Sequence, residues 1–147
     1  MSTNTPTRKT TTNRVPRAPE PRSDADRSAP FAGLLNEVRS DAGAPAVTPE
    51  PRLAAAAERH AEDMAARGFI SHDGSDGSTP QDRVTDAGYA SCMTAENIAL
   101  QPDTERELVT QWMNSPAHRT NMLRGNADAF GLAQAGGYWV LVLARPC

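Results

Sequence analysis

Apolar residues along this chain fall into short runs with two different spacings. Phe31, Leu34, Leu35 and Val38 recur every three to four residues, the spacing of one face of an α-helix. Pro30 fits the first turn of that helix, and Gly43 lies just past its end. Thr48-Pro49 opens a longer helix whose stripe is Leu53, Ala57, Ala61 and Met64, with Gly68 as its stop. Thr79-Pro80-Gln81-Asp82 reads as a cap, a first-turn proline and an acid at the third position, so a helix is expected to about Ala87. Thr104 and Glu107 repeat the capping signal ahead of Leu108 and Trp112, which fall one turn apart on one face. Ser115-Pro116 begins a short last helix bearing Met122 and Leu123, with Gly125 beyond it.

The second spacing belongs to strands. Residues 94–100 have extended character, and 130–135 and 138–144 read as two strands joined by Gly136-Gly137, a two-residue hairpin signal. Val140-Leu141-Val142-Leu143 is apolar at every position, which a strand tolerates only when both its faces are covered. Helices before and between strands, ending on a hairpin, predict an α+β domain with helices on both faces of a small antiparallel sheet.

Composition changes the picture at the N-terminus. Hydrophobic residues make up 38% and aromatics 5% of the 147 residues, and the deficit lies mainly in residues 1–30. That stretch, rich in Thr, Pro, Ser and Arg, buries too little apolar surface to offset its chain entropy, so it is read as a disordered tail. Residues 31–147 then form one domain. Arg8, Lys9, Arg14, Arg17, Arg22 and Arg27 stand against Glu20, Asp24 and Asp26, so the tail is +3; with −3 overall, the domain carries −6. An acidic domain argues against nucleic acid as a partner. No apolar run reaches the length of a membrane span or of a secretory signal core, so a soluble chain with neither is expected.

Two cysteines are present. Cys92 follows the Gly88-Tyr89 turn and Cys147 ends the chain after a strand. A bridge between them would tie that end down and stabilise the fold by about 4 kcal/mol in the chain-entropy account, and it implies an oxidising compartment. The alternative is two free thiols.

Candidate chemistry lies in three polar clusters: Ser71-His72, Glu96-Asn97 and Ser115-Pro116-Ala117-His118-Arg119. If Ser115 caps its helix, His118 sits where the helix dipole disfavours imidazolium, and a neutral imidazole suits a metal or a general base. Two histidines and one carboxylate leave an open position on a tetrahedral zinc. The competing reading is a hydrogen-bonded brace in which Glu96 orients the histidines. A Ser/His hydrolase built on Ser71 or Ser115 lacks a nucleophile-elbow motif. His60, at the edge of a helical stripe, reads as a packing residue. Residues 73–78 are faintly similar to a calcium loop but lack its glycine and its closing glutamate.

The order of motifs carries more. Leu35-Asn36-x-x-Arg39-x-x-x-Gly43 precedes Leu53/Ala57/His60/Asp63-Met64. Then follow Ser71-His72, Asp82-Arg83-Val84, Gly88-Tyr89, Glu96-Asn97-Ile98-Ala99 and Trp112-Met113-x-Ser115-Pro116-x-His118-Arg119-x-Asn121-x-Leu123. Gly131 and Gly137-Tyr138-Trp139-Val140 close the set. Over residues 31–147 this resembles a bacterial member of the CAP superfamily, or SCP domain, which includes cysteine-rich secretory proteins, antigen 5 and plant pathogenesis-related proteins. The resemblance implies a three-layer α-β-α sandwich, an extracellular or cell-surface setting, and a cavity of two histidines and two acids that binds zinc or another divalent ion in some members. The positions that match are His72, Glu96 and His118 as metal ligands. The place of the second acid, three residues after the helix tryptophan, is Ser115 here, a departure from the pattern.

The leading expectation is therefore a monomeric, secreted or cell-surface, non-enzymatic binding module for a lipid-like or cell-envelope ligand. Two alternatives stand beside it. One is a metal-assisted peptidase or esterase using His72, His118 and Glu96, and the other is a structural interaction domain in which the polar cluster only braces the fold.

Overall fold

A computed structural model describes residues 24–147, with side chains from Ser28 onward. The tail assigned to residues 1–30 thus lies, up to position 23, outside the described residues. The chain runs α1 (Asp24–Asp41), β1 (Thr48–Pro49), α2 (Pro51–Arg67), α3 (Pro80–Asp86), β2 (Ser91–Leu100), α4 (Glu105–Met113), α5 (Pro116–Met122), β3 (Ala129–Ala135) and β4 (Tyr138–Pro146). The strands form one sheet in the order β1-β3-β4-β2. All pairings are antiparallel except β1 with β3, so the sheet is mixed rather than purely antiparallel.

β4 organises both halves of the core by its alternation. Trp139, Leu141 and Leu143 pack with Phe31, Leu35, Leu108, Trp112 and Met122 of α1, α4 and α5. Val140, Val142 and Ala144 pack with Leu53, Ala57, Ala61, Met64 and Val84 of α2 and α3. The expected strand, apolar on both faces, is buried on both faces, and helices cover each side of the sheet as anticipated. β3 approaches α2 closely at Gly131, where a Cβ would collide with the backbone of Leu53 and Ala54.

Two helix starts differ from the sequence expectation. α1 begins at Asp24, so Pro30 sits inside it rather than in its first turn. Before Phe31 this helix carries only Ala25, Ala29 and Pro30 as non-polar residues, too small to mark a helical face in the sequence. α2 begins at Pro51, not at Thr48-Pro49. The residue before a proline is pushed to extended backbone, and Glu50 adopts φ −128°, ψ 115° and caps the helix through Arg52 N–H. Thr48 and Pro49 are thereby free to pair with Ala129 and Phe130 of β3. The remaining signals hold. Gly68 terminates α2 with φ 64°, Thr79 and Asp82 form a reciprocal capping box, and Thr104 accepts from Glu107 N–H. Gly136 and Gly137, both at positive φ, make the hairpin turn with the right-handed twist of its strands. Ser115 occupies the N-cap position of α5 but makes no side-chain capping bond.

β2 is an edge strand, and side chains from the helices reach its backbone. Trp112 Nε1 donates to the Ile98 carbonyl at 3.2 Å, and Asn121 Nδ2 donates to that of Glu96 at 3.2 Å. A disulfide joins Cys92, at the start of β2, to Cys147, the bridge rather than the pair of free thiols. Among the described residues no helix is long and apolar enough to cross a membrane.

Candidate functional site: a braced carboxylate and an apolar groove

Strand alternation sends the neighbours Glu96 and Asn97 to opposite faces of β2. On the α2/α3 face, Glu96 is 5% exposed and both its oxygens are engaged. Oε1 accepts from His72 Nδ1 at 2.9 Å, and Oε2 accepts from Arg83 Nη2 at 2.9 Å. Arg83 is also buried. It is held on α3 by the capping box that starts that helix, and it donates further to the carbonyls of His72 and Ser78. His60 of α2 completes the group. Its Nε2 donates to the Ser71 carbonyl at 2.6 Å and lies 3.9 Å from Glu96 Oε1. Its Nδ1, left as an acceptor, finds no donor among the described residues.

On the opposite face, Asn97 Nδ2 donates to the His118 carbonyl, and Asn121 Nδ2 donates to Asn97 Oδ1. Asn97 thus fixes the backbone of α5, and with it the placement of His118. The Glu-Asn pair therefore ties one layer of helices with each side chain.

The three histidines differ electrostatically. His72, with its side chain about half exposed, is pushed above its ordinary pKa, first by the hydrogen bond to Glu96 and against the pull of burial. His118 is lowered, first by burial and then by the nearby charge of His72. His60 is lowered by burial, which outweighs the attraction of Glu96. A neutral His118 was expected from the helix dipole, whereas desolvation leads here.

The fit of a divalent ion can be judged from these bonds. Glu96 already spends one oxygen on Arg83 and the other on His72, and His72 spends Nδ1 on Glu96. The residue in the second acid's place, Ser115, offers only a hydroxyl. Among the described residues no three His, Cys, Asp or Glu side chains are grouped so as to hold a metal ion. Of the expected ligands, the structure brings His72 onto Glu96 and places His118 near His72 without a bond to the carboxylate. Sequence reasoning missed Arg83 and His60 as members of this group. The Asp82-Arg83-Val84 motif was visible, but only the fold reveals that its arginine reaches Glu96.

The loop faintly similar to a calcium site is used otherwise. Ser75 N–H and Oγ donate to Asp63, and Arg59 bridges Asp76 and Asp86. Within the loop, Asp76 is engaged by Arg59 and by Ser78 N–H.

Elsewhere, an apolar groove of 480 Å3 opens between the start of α1 and the start of α2. Ala29, Pro49, Pro51, Ala54, Ala55 and Phe130 line it, and Glu50 and Glu58 are its charged members.

The sequence model of the Cysteine-rich secretory protein family, CAP, matches residues 32–142. The chain belongs to the CAP family. A relative, YkwD of Bacillus subtilis (strain 168), is 29% identical over 108 residues, covering 72% of this chain and 42% of that protein. The CAP domain described here thus spans about two fifths of that relative's length. Its fold is similar to that of an extracellular SCP-domain protein of Bacillus anthracis, with TM-score 0.77 and 23% identity over 86% of this chain and 45% of the other. It is similar also to an outer surface protein of Borrelia burgdorferi, with TM-score 0.77 and 17% identity over 88% of this chain and all of the other. A cysteine-rich secretory protein of Staphylococcus aureus matches with TM-score 0.72 and 19% identity over 86% and 40%. The expected α-β-α sandwich of bacterial CAP type is the fold of this chain.

Proposed function

We propose that this CAP domain is a non-enzymatic binding module of the cell exterior that takes an apolar, lipid-like or cell-envelope ligand. The groove between α1 and α2 carries this reading. Its volume falls in the range of small-molecule sites, about 300–1,000 Å3, and its lining is apolar apart from Ser28 and two carboxylates. Glu50 at the groove is already paired with Arg52 at 2.7 Å, so the apolar floor is the feature that favours an uncharged, hydrophobic ligand. The exterior setting is supported by the disulfide, which persists in oxidising compartments, and by the extracellular or outer-surface description of similar structures.

The polar cluster reads as a brace. A buried carboxylate with both oxygens bonded, one of them to a buried guanidinium, is held in place by partners from two other segments. A metal-assisted hydrolase would need Glu96 free as a general base, and this arrangement spends it on Arg83 and His72.

Native mass spectrometry with monopalmitoylglycerol, a neutral single-chain lipid, tests the groove. A one-to-one complex is expected with the full chain, and it is expected to be lost in Ala55→Arg, where Ala55 is exposed and tolerates replacement. No complex, or one indifferent to that substitution, overturns the groove as the ligand site.

A further inference from the structure

The cluster around Glu96 has a charge balance as well as a bonding pattern. The groups bonded to that carboxylate are Arg83, on Oε2, and His72, on Oε1. Arg83 is buried and keeps its proton at any ordinary pH. It is also pinned. Its Nη1 donates to the carbonyl and the hydroxyl of Ser78, and its Nη2 donates to the His72 carbonyl as well as to Glu96. Carboxylate and guanidinium cancel, so the pair at the centre of the cluster is neutral without any bound ion. Ser115, in the place of a second acid, adds no charge. Asp73 acts on His72, but it is exposed and solvent weakens its field.

We infer that Arg83 is the resident cation of this site: it balances Glu96 as a divalent ion would, and it keeps such an ion out. Each oxygen of a carboxylate has two lone pairs, so the bonds to Arg83 and His72 do not by themselves exclude a metal. Charge does. An ion ligated by Glu96 would lie a few ångströms from a guanidinium that can neither deprotonate nor move aside, in a buried setting where like charges are poorly screened. Arg83 also does mechanically what a shared metal does. One nitrogen holds the His72 carbonyl and the Glu96 carboxylate together, so the loop bearing the imidazole is fixed to the strand bearing the acid. The inference rests on the reading of the cluster as a brace, and it adds what supplies the brace's positive charge and what that charge turns away.

Zinc chloride is the probe, added to the full chain after treatment with a chelator. In the native chain the NMR signals of the His72 and His118 rings are expected to stay in place, and the melting temperature is expected to stay unchanged, at micromolar zinc. Both rings shifting together, with zinc binding lost in His72→Gln/His118→Gln, overturns the inference. Arg83→Gln leaves Glu96 buried without its counter-charge and is expected to melt several degrees below the native chain. Adding Glu96→Gln is expected to recover most of that loss. Zinc is expected to raise the melting temperature of Arg83→Gln, as a ligand of the folded state does, and to leave Arg83→Gln/Glu96→Gln unmoved. If Arg83→Gln is too unstable to isolate folded, its yield on refolding with and without zinc reads the same comparison. Arg83→Lys retains a charge at that position and is expected to be indifferent to zinc. Zinc failing to rescue Arg83→Gln, or rescuing Arg83→Lys equally, overturns the exclusion of the ion and leaves the brace standing. Arg83→Gln melting like the native chain removes the brace as well.

Discussion

Arg83 carries a permanent charge to a place where it is 2% exposed, and Glu96 is the counter-charge that meets it there. Such a pair gives less net stability than its short distance suggests, because both ions were solvated before folding. Its worth lies in position: removing either partner strands the other. His72 hangs on the same carboxylate, and its titration carries a sign that can be checked. Its folded pKa is raised, with the hydrogen bond to Glu96 as the first cause. The stabilisation it provides is therefore complete below the ordinary histidine value of about 6.5 and is lost as pH rises through the higher folded value. His60 and His118 are lowered, chiefly by burial, so their contribution is present above about 6.5 and is lost as pH falls below it. Proton-detected NMR titration is expected to rank His72 above the other two. The melting-temperature difference between the native chain and His72→Gln is expected to shrink as the pH is raised from 6 to 9; a constant difference would contradict the Glu96 bond as its source.

At the scale of elements, what was legible in the sequence was local. The stripes of α2 and α4, the capping box of α3, the glycine stop of α2 and the hairpin glycines each signal within a few residues, and each stands where it was read. β1 was missed because two residues carry no alternation, and it forms only because Glu50 is extended and β3 lies alongside. The site was legible in part. His72 and Glu96 do meet, but Arg83 arrives from 13 residues upstream of Glu96 and His60 from α2, and no spacing rule links them. Gly131 is the element-scale point most open to test. β3 and α2 touch there without room for a side chain, so Gly131→Ala forces the helix and the strand apart. A cost of about 1–3 kcal/mol is expected for such overpacking, measured by urea unfolding. A neutral result would mean that the two elements slide past each other freely.

At the scale of the whole molecule, the Cys92–Cys147 bridge joins the first residues of β2 to the last of the chain. The backbone there is paired as well, since Cys147 N–H donates to the Ala90 carbonyl. Closing so long a loop restricts the unfolded chain more than the folded one. The Cys92→Ser/Cys147→Ser variant is expected to lose about 2–4 kcal/mol in chemical denaturation while keeping its native circular dichroism. An unchanged midpoint would show that the hydrogen bond alone secures the terminus.

The helices that pack on β2 do more than cover it. An edge strand ten residues long offers a row of backbone groups to any neighbouring chain, the geometry from which aggregates grow. In this molecule Trp112 and Asn121 occupy the carbonyls of Ile98 and Glu96, and Gln81 Nε2 occupies that of Ser91. A second molecule seeking to add a strand there meets acceptors already spoken for. The same side chains that orient α4 and α5 thus guard the sheet against self-association, and replacing Asn121 or Gln81 would alter colloidal behaviour before it altered the fold.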